Sequence, residues 1–276
     1  LIVETTYYPE VSDAVLLEKN RIYDEAANSL WRTVVYEPVH GGWEFTNMGG
    51  RVILDYVGQF AEASAGKRVL ELCSGLGDTC CYLAEKFDCH VTGIELNQHQ
   101  ITHALEKIAR DPRLADKVEF IEADIRHWKP DQLFDVGFTL DSLMLVNSVD
   151  EILGKLHSAL KPGGVVVLTE MTAGPNVTDE LLNLIWRIDG MITVPSPHEY
   201  QKMLTTCGFS DVEITDVTLH AENCFKLMAG AVQAQREKLL ETIDATEIGN
   251  WEKLTEFYLD CFRNRQFSYS RITARR

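Results

Sequence analysis

The stretch "VLELCSGLGDT", Val69 to Thr79, decides how the chain is read. It begins as an apolar run interrupted by one acid, Glu71, and turns through Gly75 and Gly77 into a helical pattern. A loop between a strand and a helix N-terminus uses glycine where the backbone must come close to a ligand, because a Cβ would block the approach. Such a turn is expected to hold a nucleotide-like ligand. Cys73 stands where a further glycine would be usual.

On either side of this stretch, short apolar runs alternate with helical patterns. "KRVLEL" (67–72), "HVTGIEL" (90–96), "KVEFIEAD" (117–124), "FDVGFTL" (134–140) and "VVVLTEM" (165–171) read as strands. Helices are expected between them at 78–87, 98–110 and 149–160, the last stopped by "KPGG". β-branched runs separated by helices of this length indicate a parallel sheet covered on both faces. Further on, "DVEITDVTL" (211–219) and "FSYSRITAR" (267–275) alternate as strands. Helices are expected at 49–64, 178–188, 198–209, 225–243 and 251–262. The expected division is an N-terminal helical arm or lid over 1–48 and one α/β domain over 49–276, with helical insertions near 172–208 and 221–264. The arm is rich in aromatic residues, among them Tyr7, Tyr8, Tyr23, Trp31, Tyr36, Trp43 and Phe45. It reads equally as a packed cap and as a lid over an apolar pocket, and Tyr23 and Trp43 are candidates for lining that pocket.

Composition narrows the function. The chain has 276 residues, 45% of them hydrophobic, enough for a sizeable core. Its net charge of −16 argues against a nucleic-acid partner, since an acidic surface gains nothing from counterion release. No apolar run reaches a membrane-spanning length, and the polar start does not read as a signal peptide. Seven cysteines without framework spacing read as free thiols in a reducing cytoplasm. His99 and His103 share one helix face, but no third ligand completes a metal site near them in sequence, so no metal is expected.

Two cofactors suit the glycine loop. A dinucleotide fingerprint, G-x-G-x-x-G/A followed by an acid about twenty residues on, is half met. Gly75 and Gly77 fit, Glu95 supplies the acid, and Cys80 occupies the third position, where Gly or Ala belongs. The second layout is met more fully. "VLELCSGLGDT" resembles motif I of the class I S-adenosylmethionine-dependent methyltransferases, with Cys73 departing from the first glycine. "VTGIELNQHQI", "IEADIRHW", "FDVGFTLDSLMLV", "LHSALKPGGVVVLTEM", "SPHEYQKMLTTCGFSDVEITDVT" and "FSYSRITARR" are similar to the following segments of small-molecule members, in order, over roughly residues 45 to 276.

The resemblance implies a Rossmann-like, seven-stranded, mostly parallel sheet with an antiparallel last strand and helices on both faces. It implies S-adenosylmethionine as cofactor and a single in-line methyl transfer to a small molecule. Glu71 would help hold the amino-acid end of the cofactor, with Cys73, Gly75 and Gly77 in the loop. Glu95 would accept from the ribose hydroxyls, with Leu96 beside it. Asp124 and Ile125 would meet the adenine, and Leu140 closes the fourth strand nearby. Alternative readings stay open: Asp124 and Asp141 are also good helix caps, and Glu95 could be a surface acid at a strand end.

A proton acceptor is needed only if the acceptor carries a proton that must leave. Relatives often place a histidine just after "DSL", where this chain has Leu145. Glu170, ending the fifth strand, is then one candidate, because burial raises a carboxyl's pKa toward a useful base. Asp141 and His40 are the others, and Tyr200 is a candidate for the substrate pocket or for the core. The expected acceptor is small and partly apolar, with a lean toward carbon methylation of a prenyl or terpenoid alkene. Nitrogen or oxygen methylation stands close behind it. An NAD-dependent oxidoreductase and a non-catalytic binding protein are the rival classes, and exchange of the arm between subunits would make a homo-oligomer.

Overall fold

The structure is a computed structural model that describes residues 31–61 and 66–276. The expectations for Tyr7, Tyr8 and Tyr23, and for arm exchange through residues 1–30, lie outside the described residues. A π-helical turn (Arg32–Tyr36) runs into α1 (Glu37–His40), and α2 (Gly50–Ala61) leads toward the sheet. Then follow β1 (Arg68–Leu72), α3 (Asp78–Phe87), β2 (His90–Glu95), α4 (Gln98–Arg110), β3 (Val118–Glu122) and β4 (Phe134–Leu140). A 3₁₀ turn (Leu143–Leu145), α5 (Val149–Ala159) and β5 (Leu160–Ala173) come next. The last part holds α6 (Asp179–Asp189), α7 (Pro197–Thr206), β6 (Ser210–Asp216), α8 (Thr218–Ala234), α9 (Arg236–Leu239), α10 (Ala245–Arg263) and β7 (Phe267–Arg275).

The seven strands form one sheet in the order β3-β2-β1-β4-β5-β7-β6. Only β7 is antiparallel, between β5 and β6, so the expected fold class holds. Alternation along the strands feeds two cores. Val69, Val136, Phe138, Val165 and Val167 face α2 and α3. Leu70, Leu72, Val166 and Leu168 face α5 and α7. Strand order reverses between β1 and β4, and a ligand cleft opens beyond the carboxyl ends of strands at such a point. A third apolar cluster, with Met144, Met171, Tyr258, Phe262, Phe267 and Tyr269, fills the space beyond those ends.

Three segment expectations need correction. The single helix expected over 225–243 is instead α8, which starts at Thr218 and ends at Ala234, followed by the short α9 and a turn from Leu240. "KPGG" does not precede the fifth strand but lies within it. Leu160 already pairs with Phe134, and the interruption appears as a register shift with Gly163 at φ +78°. The strand expected over 211–219 ends at Asp216, because the Asp216 carboxylate accepts from the Thr218 N–H (2.9 Å) and hydroxyl (2.5 Å) and starts α8 there. Among the described residues no helix is long and apolar enough to cross a membrane.

Candidate functional site

The glycine loop lies at the reversal point. Gly75 (φ +53°) and Gly77 (φ +81°) both adopt the left-handed conformation that favours glycine. Glycine at 77 has a packing reason too: a Cβ there would lie 2.4 Å from the Phe120 ring. At Gly75 the space is open, with Gln100 Oε1 the nearest atom at 3.5 Å, so the loop leaves room for a ligand. Cys73 takes the same left-handed conformation, at φ +59°. That explains why glycine is usual there and what the cysteine costs, on the order of 1 kcal/mol of backbone strain. Its thiol faces the Ser142 hydroxyl, and burial, then Glu95, Glu170 and Glu71, hold the thiol far above its usual pKa.

Glu95 ends β2 and is held by three backbone N–H groups. Oε2 accepts from Gly75 (2.9 Å), and Oε1 from Leu96 and Asn97 (2.9 Å each). A carboxylate so oriented at the rim of the loop fits a ligand diol. Leu96 is exposed, while Ile125 and Leu140 are buried. Asn97 caps α4, accepting from the His99 and Gln100 N–H groups.

Two expected residues are engaged differently from the reading above. Glu71 shares the strand face of Val69 and is buried beneath the loop. Its Oε2 accepts from the Thr79 hydroxyl (2.5 Å) and the Cys80 thiol (2.9 Å), and burial pushes its pKa up to about 8. Its carboxyl therefore braces the start of α3. Asp124 is bound by Arg126, at 2.9 Å from the backbone N–H and 2.6 Å from Nη2, so its side chain closes a local turn.

Beyond the loop, β4 and β5 bring two carboxyls into the interior. Asp141, at φ +53°, is half-buried, with its Oδ1 atom enclosed. Its Oδ2 accepts from the Met48 N–H (2.6 Å) and the Tyr269 hydroxyl (3.1 Å), and Oδ1 has no hydrogen-bond partner among the described residues. Glu170 is 0% exposed; Oε1 accepts from the Ser142 and Leu143 N–H groups (3.1 and 3.0 Å), while Oε2 is unpartnered in the same sense. Desolvation raises Asp141 to about 7, and raises Glu170 well above the carboxylate range with Asp141's charge adding to it. The buried Tyr200 hydroxyl, also unpartnered among the described residues, interacts with both acids. Such atoms are expected to meet a ligand or water.

His40 ends α1. It is buried, its Nε2 lacks a partner among the described residues, and burial with the nearby Arg51 lowers its pKa to about 4. It is a neutral imidazole at working pH. Trp43 stacks on Phe45 at 5.7 Å and meets Tyr82 edge-on at 5.3 Å, so it packs toward α3. Glu44 next to it receives His103 at 3.1 Å and Lys107 at 3.0 Å, and these partners lower it to about 2. Lys107 also pairs with Asp78, whose Oδ1 accepts from the Glu44 N–H. His103 and Lys107 thus tie segment 41–48 to α4, and Asp78 ties it to α3. Among the described residues no group of three or more His, Cys, Asp or Glu could hold a metal.

The sequence reading missed Tyr269, Met48 and the Thr79–Cys80 pair. Alternation in "FSYSRITAR" puts Tyr269 on a fixed strand face, but only the sheet order brings that face to Asp141.

The buried acids make stability depend on pH. The native protein holds protons on Asp141, Glu71 and Glu170 that the unfolded chain releases above about pH 4, so stability falls as pH rises toward their folded values. His40 has the opposite sign, but only below its ordinary 6.5. From pH 6.5 to 8 the acids act alone among these groups. The ligand-free protein is expected to lose about 2–4 kcal/mol over that window, seen as a Tm lower by roughly 5–15 °C in scanning fluorimetry. A Tm that is flat or rises would contradict the buried, protonated state.

Residues 63–236 match the family model described as a methyltransferase domain. The chain is 29% identical over 230 residues to phosphoethanolamine N-methyltransferase 1 of Arabidopsis thaliana, covering 80% of this chain and 45% of that protein. It is 26% identical over 236 residues to the phosphoethanolamine N-methyltransferase of Plasmodium falciparum, covering 83% of this chain and 84% of the other. The fold superposes, with a TM-score of 0.82 at 19% identity, on a Haemonchus contortus phosphoethanolamine N-methyltransferase 2 in complex with phosphomonomethylethanolamine and S-adenosylhomocysteine, covering 98% of this chain and 61% of that one. The chain spans about half the length of the Arabidopsis relative.

Proposed function

The chain belongs to the methyltransferase-domain family, and from that premise we propose that it methylates the nitrogen of a small amine. It is an S-adenosylmethionine-dependent enzyme. When bound, the cofactor supplies a sulfonium-activated methyl group open to in-line displacement. The observation that carries the amine reading is the acid pair Asp141 and Glu170, each with one buried oxygen unpartnered among the described residues. An acceptor that arrives as an ammonium, or becomes one on methylation, gives those oxygens a partner of opposite charge. The names of the Arabidopsis and Plasmodium relatives support nitrogen as the acceptor atom.

The residues divide the work. Gly75 gives the cofactor room, Gly77 lets α3 pack against α4 and β3, and Glu95 accepts from the cofactor's ribose hydroxyls. Leu96, Ile125 and Leu140 offer the adenine apolar contact, with Asp124 fixing the turn beside Ile125. Glu71 braces the start of α3 beneath the loop. Asp141, near 7, takes the proton that must leave the amine before attack. Glu170 stays protonated and orders the turn at Ser142 and Leu143 until a cationic acceptor draws it into ionising. Tyr200 lines the pocket, and neutral His40 and Trp43 pack the lid segment. Much of the rate comes from holding acceptor and donor in line.

The apolar cluster of Met144, Met171, Tyr258 and Phe262 beyond the acids favours a second reading. It is carbon methylation of a prenyl or terpenoid alkene, in which the same carboxyls stabilise the cation and remove its proton. One assay separates the readings. The protein is incubated with S-adenosylmethionine and a panel of small amines, hydroxylated metabolites and prenyl alkenes, and products are read by mass spectrometry. N-methylation with matching S-adenosylhomocysteine is expected. Transfer only to an alkene carbon, or only to oxygen, replaces the amine reading, and cofactor binding without turnover leaves a binding protein. In the same assay Cys73→Gly is expected to change cofactor affinity by less than about threefold, since it relieves backbone strain and leaves Glu95 in place.

A further inference from the structure

We propose that Tyr269, on the closing strand, is a positioning residue that fixes the Asp141 carboxyl so that one oxygen faces the acceptor. The inference rests on the reading of Asp141 as proton acceptor and adds a residue to it.

The geometry has three parts. Asp141 is anchored through a single oxygen: Met48 N–H from the lid segment and the Tyr269 hydroxyl from β7 both donate to Oδ2. Its backbone is fixed as well, since its N–H donates to the Thr169 carbonyl (2.8 Å) and its φ of +53° is a left-handed value that the surroundings must hold in place. Tyr269 is itself tied into the sheet at several points. It is 0% exposed and pairs with Met171 across β5 and β7. Its N–H donates to the Thr218 hydroxyl (2.9 Å), and its carbonyl accepts from the Val217 N–H (2.8 Å). A buried phenol on a strand so paired gives the carboxyl a directional partner. Without it the backbone N–H of Met48 alone bonds the carboxyl, which can then turn about its last torsion and exchange the two oxygens.

The titratable groups facing Asp141 are Glu170 from β5, Tyr269 from β7, Tyr200 from α7 and Cys224 from α8. A hydrogen bond donated to the ionised form favours ionisation. The Tyr269 hydroxyl therefore opposes desolvation and the repulsion of Glu170, and keeps Asp141 within reach of neutral pH.

The test reads the carboxyl directly and needs no acceptor. Protein labelled with ¹³Cγ-aspartate is titrated in the ligand-free state, with the Asp141 resonance assigned by its loss in Asp141→Asn. In Tyr269→Phe the midpoint is expected to move up by about one unit. Site-specific 3-fluorotyrosine at position 269, a stronger donor of nearly the same shape, is expected to move it down. Opposite movements establish the contact as a control on Asp141. A midpoint unmoved in both proteins overturns the proposal, even if Tyr269→Phe lowers stability. The premise fails separately. If Asp141→Asn leaves methyl transfer intact while Tyr269→Phe still shifts the midpoint, Asp141 is not the base but Tyr269 does set its ionisation.

Discussion

Asparagine in place of Asp141 is expected to lower kcat/KM for the amine acceptor by about 10²- to 10³-fold at pH 8, the usual worth of a positioned base. Cofactor affinity should stay within about threefold. The substitution keeps the shape and an oxygen that can accept from Met48 and Tyr269. It removes only the capacity to take a proton. Its effect on stability has the opposite sign. At pH 8 the native Asp141 carries a charge inside the protein, and its rise from 3.8 to about 7 corresponds to about 4 kcal/mol against folding, an upper bound on the gain. Initial rates and a melting curve at pH 8 together make the check: slower and more stable is the expected pair. An unchanged rate refutes the base, and a fall in both rate and stability means the carboxyl served to hold the fold.

Alanine in place of Gly77 is expected to cost about 2–5 kcal/mol, with a Tm lower by roughly 5–15 °C. Two costs add. The left-handed backbone at φ +81° costs a residue with a Cβ about 1–2 kcal/mol. The Cβ would also lie 2.4 Å from the Phe120 ring and 2.8 Å from the Ala104 Cβ, an overpacking cost of about 1–3 kcal/mol. Relief requires α3 to move away from α4 and β3, which carries the loop with it, so cofactor affinity should fall at least about tenfold. Gly163→Ala is the control. It has a similar φ of +78° but nothing within 4 Å of the added Cβ, so only the backbone cost applies. Equal losses in the two variants would refute the packing argument. Thermal melts and calorimetry with S-adenosylmethionine supply both numbers.

Much of the sheet was legible because each strand through β4 is bounded by its own turn chemistry, whereas the turn signal of "KPGG" lies inside β5. The helices at 78–87 and 98–110 begin and end where Gly77, Asn97 and the run of apolar positions place them. The end of β6 was not legible, because the alternation of "DVEITDVTL" continues past Asp216 while the side chain of Asp216 itself diverts the chain into α8. In the site, Glu95 could be found from its distance to the glycines. The engagement of Asp124 by Arg126 could not, since a fork two residues away leaves no periodic trace. Tyr269 depends on the strand order β5-β7-β6, a long-range property that spacing within one segment does not encode. The acids at 141 and 170 were visible as strand-end carboxyls, but the rise in their pKa follows from the protein that covers them.

Cys73 and Asp141 are both non-glycine residues in left-handed turns, one just past β1 and the other just past β4. These are the two strands between which the sheet reverses direction. The molecule therefore carries conformational tension on both banks of the reversal point, and the banks differ in what relaxing them would remove. Glycine at 73 would release tension and take away a thiol that the proposed chemistry does not use. Glycine at 141 would release a similar amount and erase the carboxyl with it. An engineer seeking a more robust protein can loosen the first bank freely, while on the second the tension and the chemistry reside in the same residue.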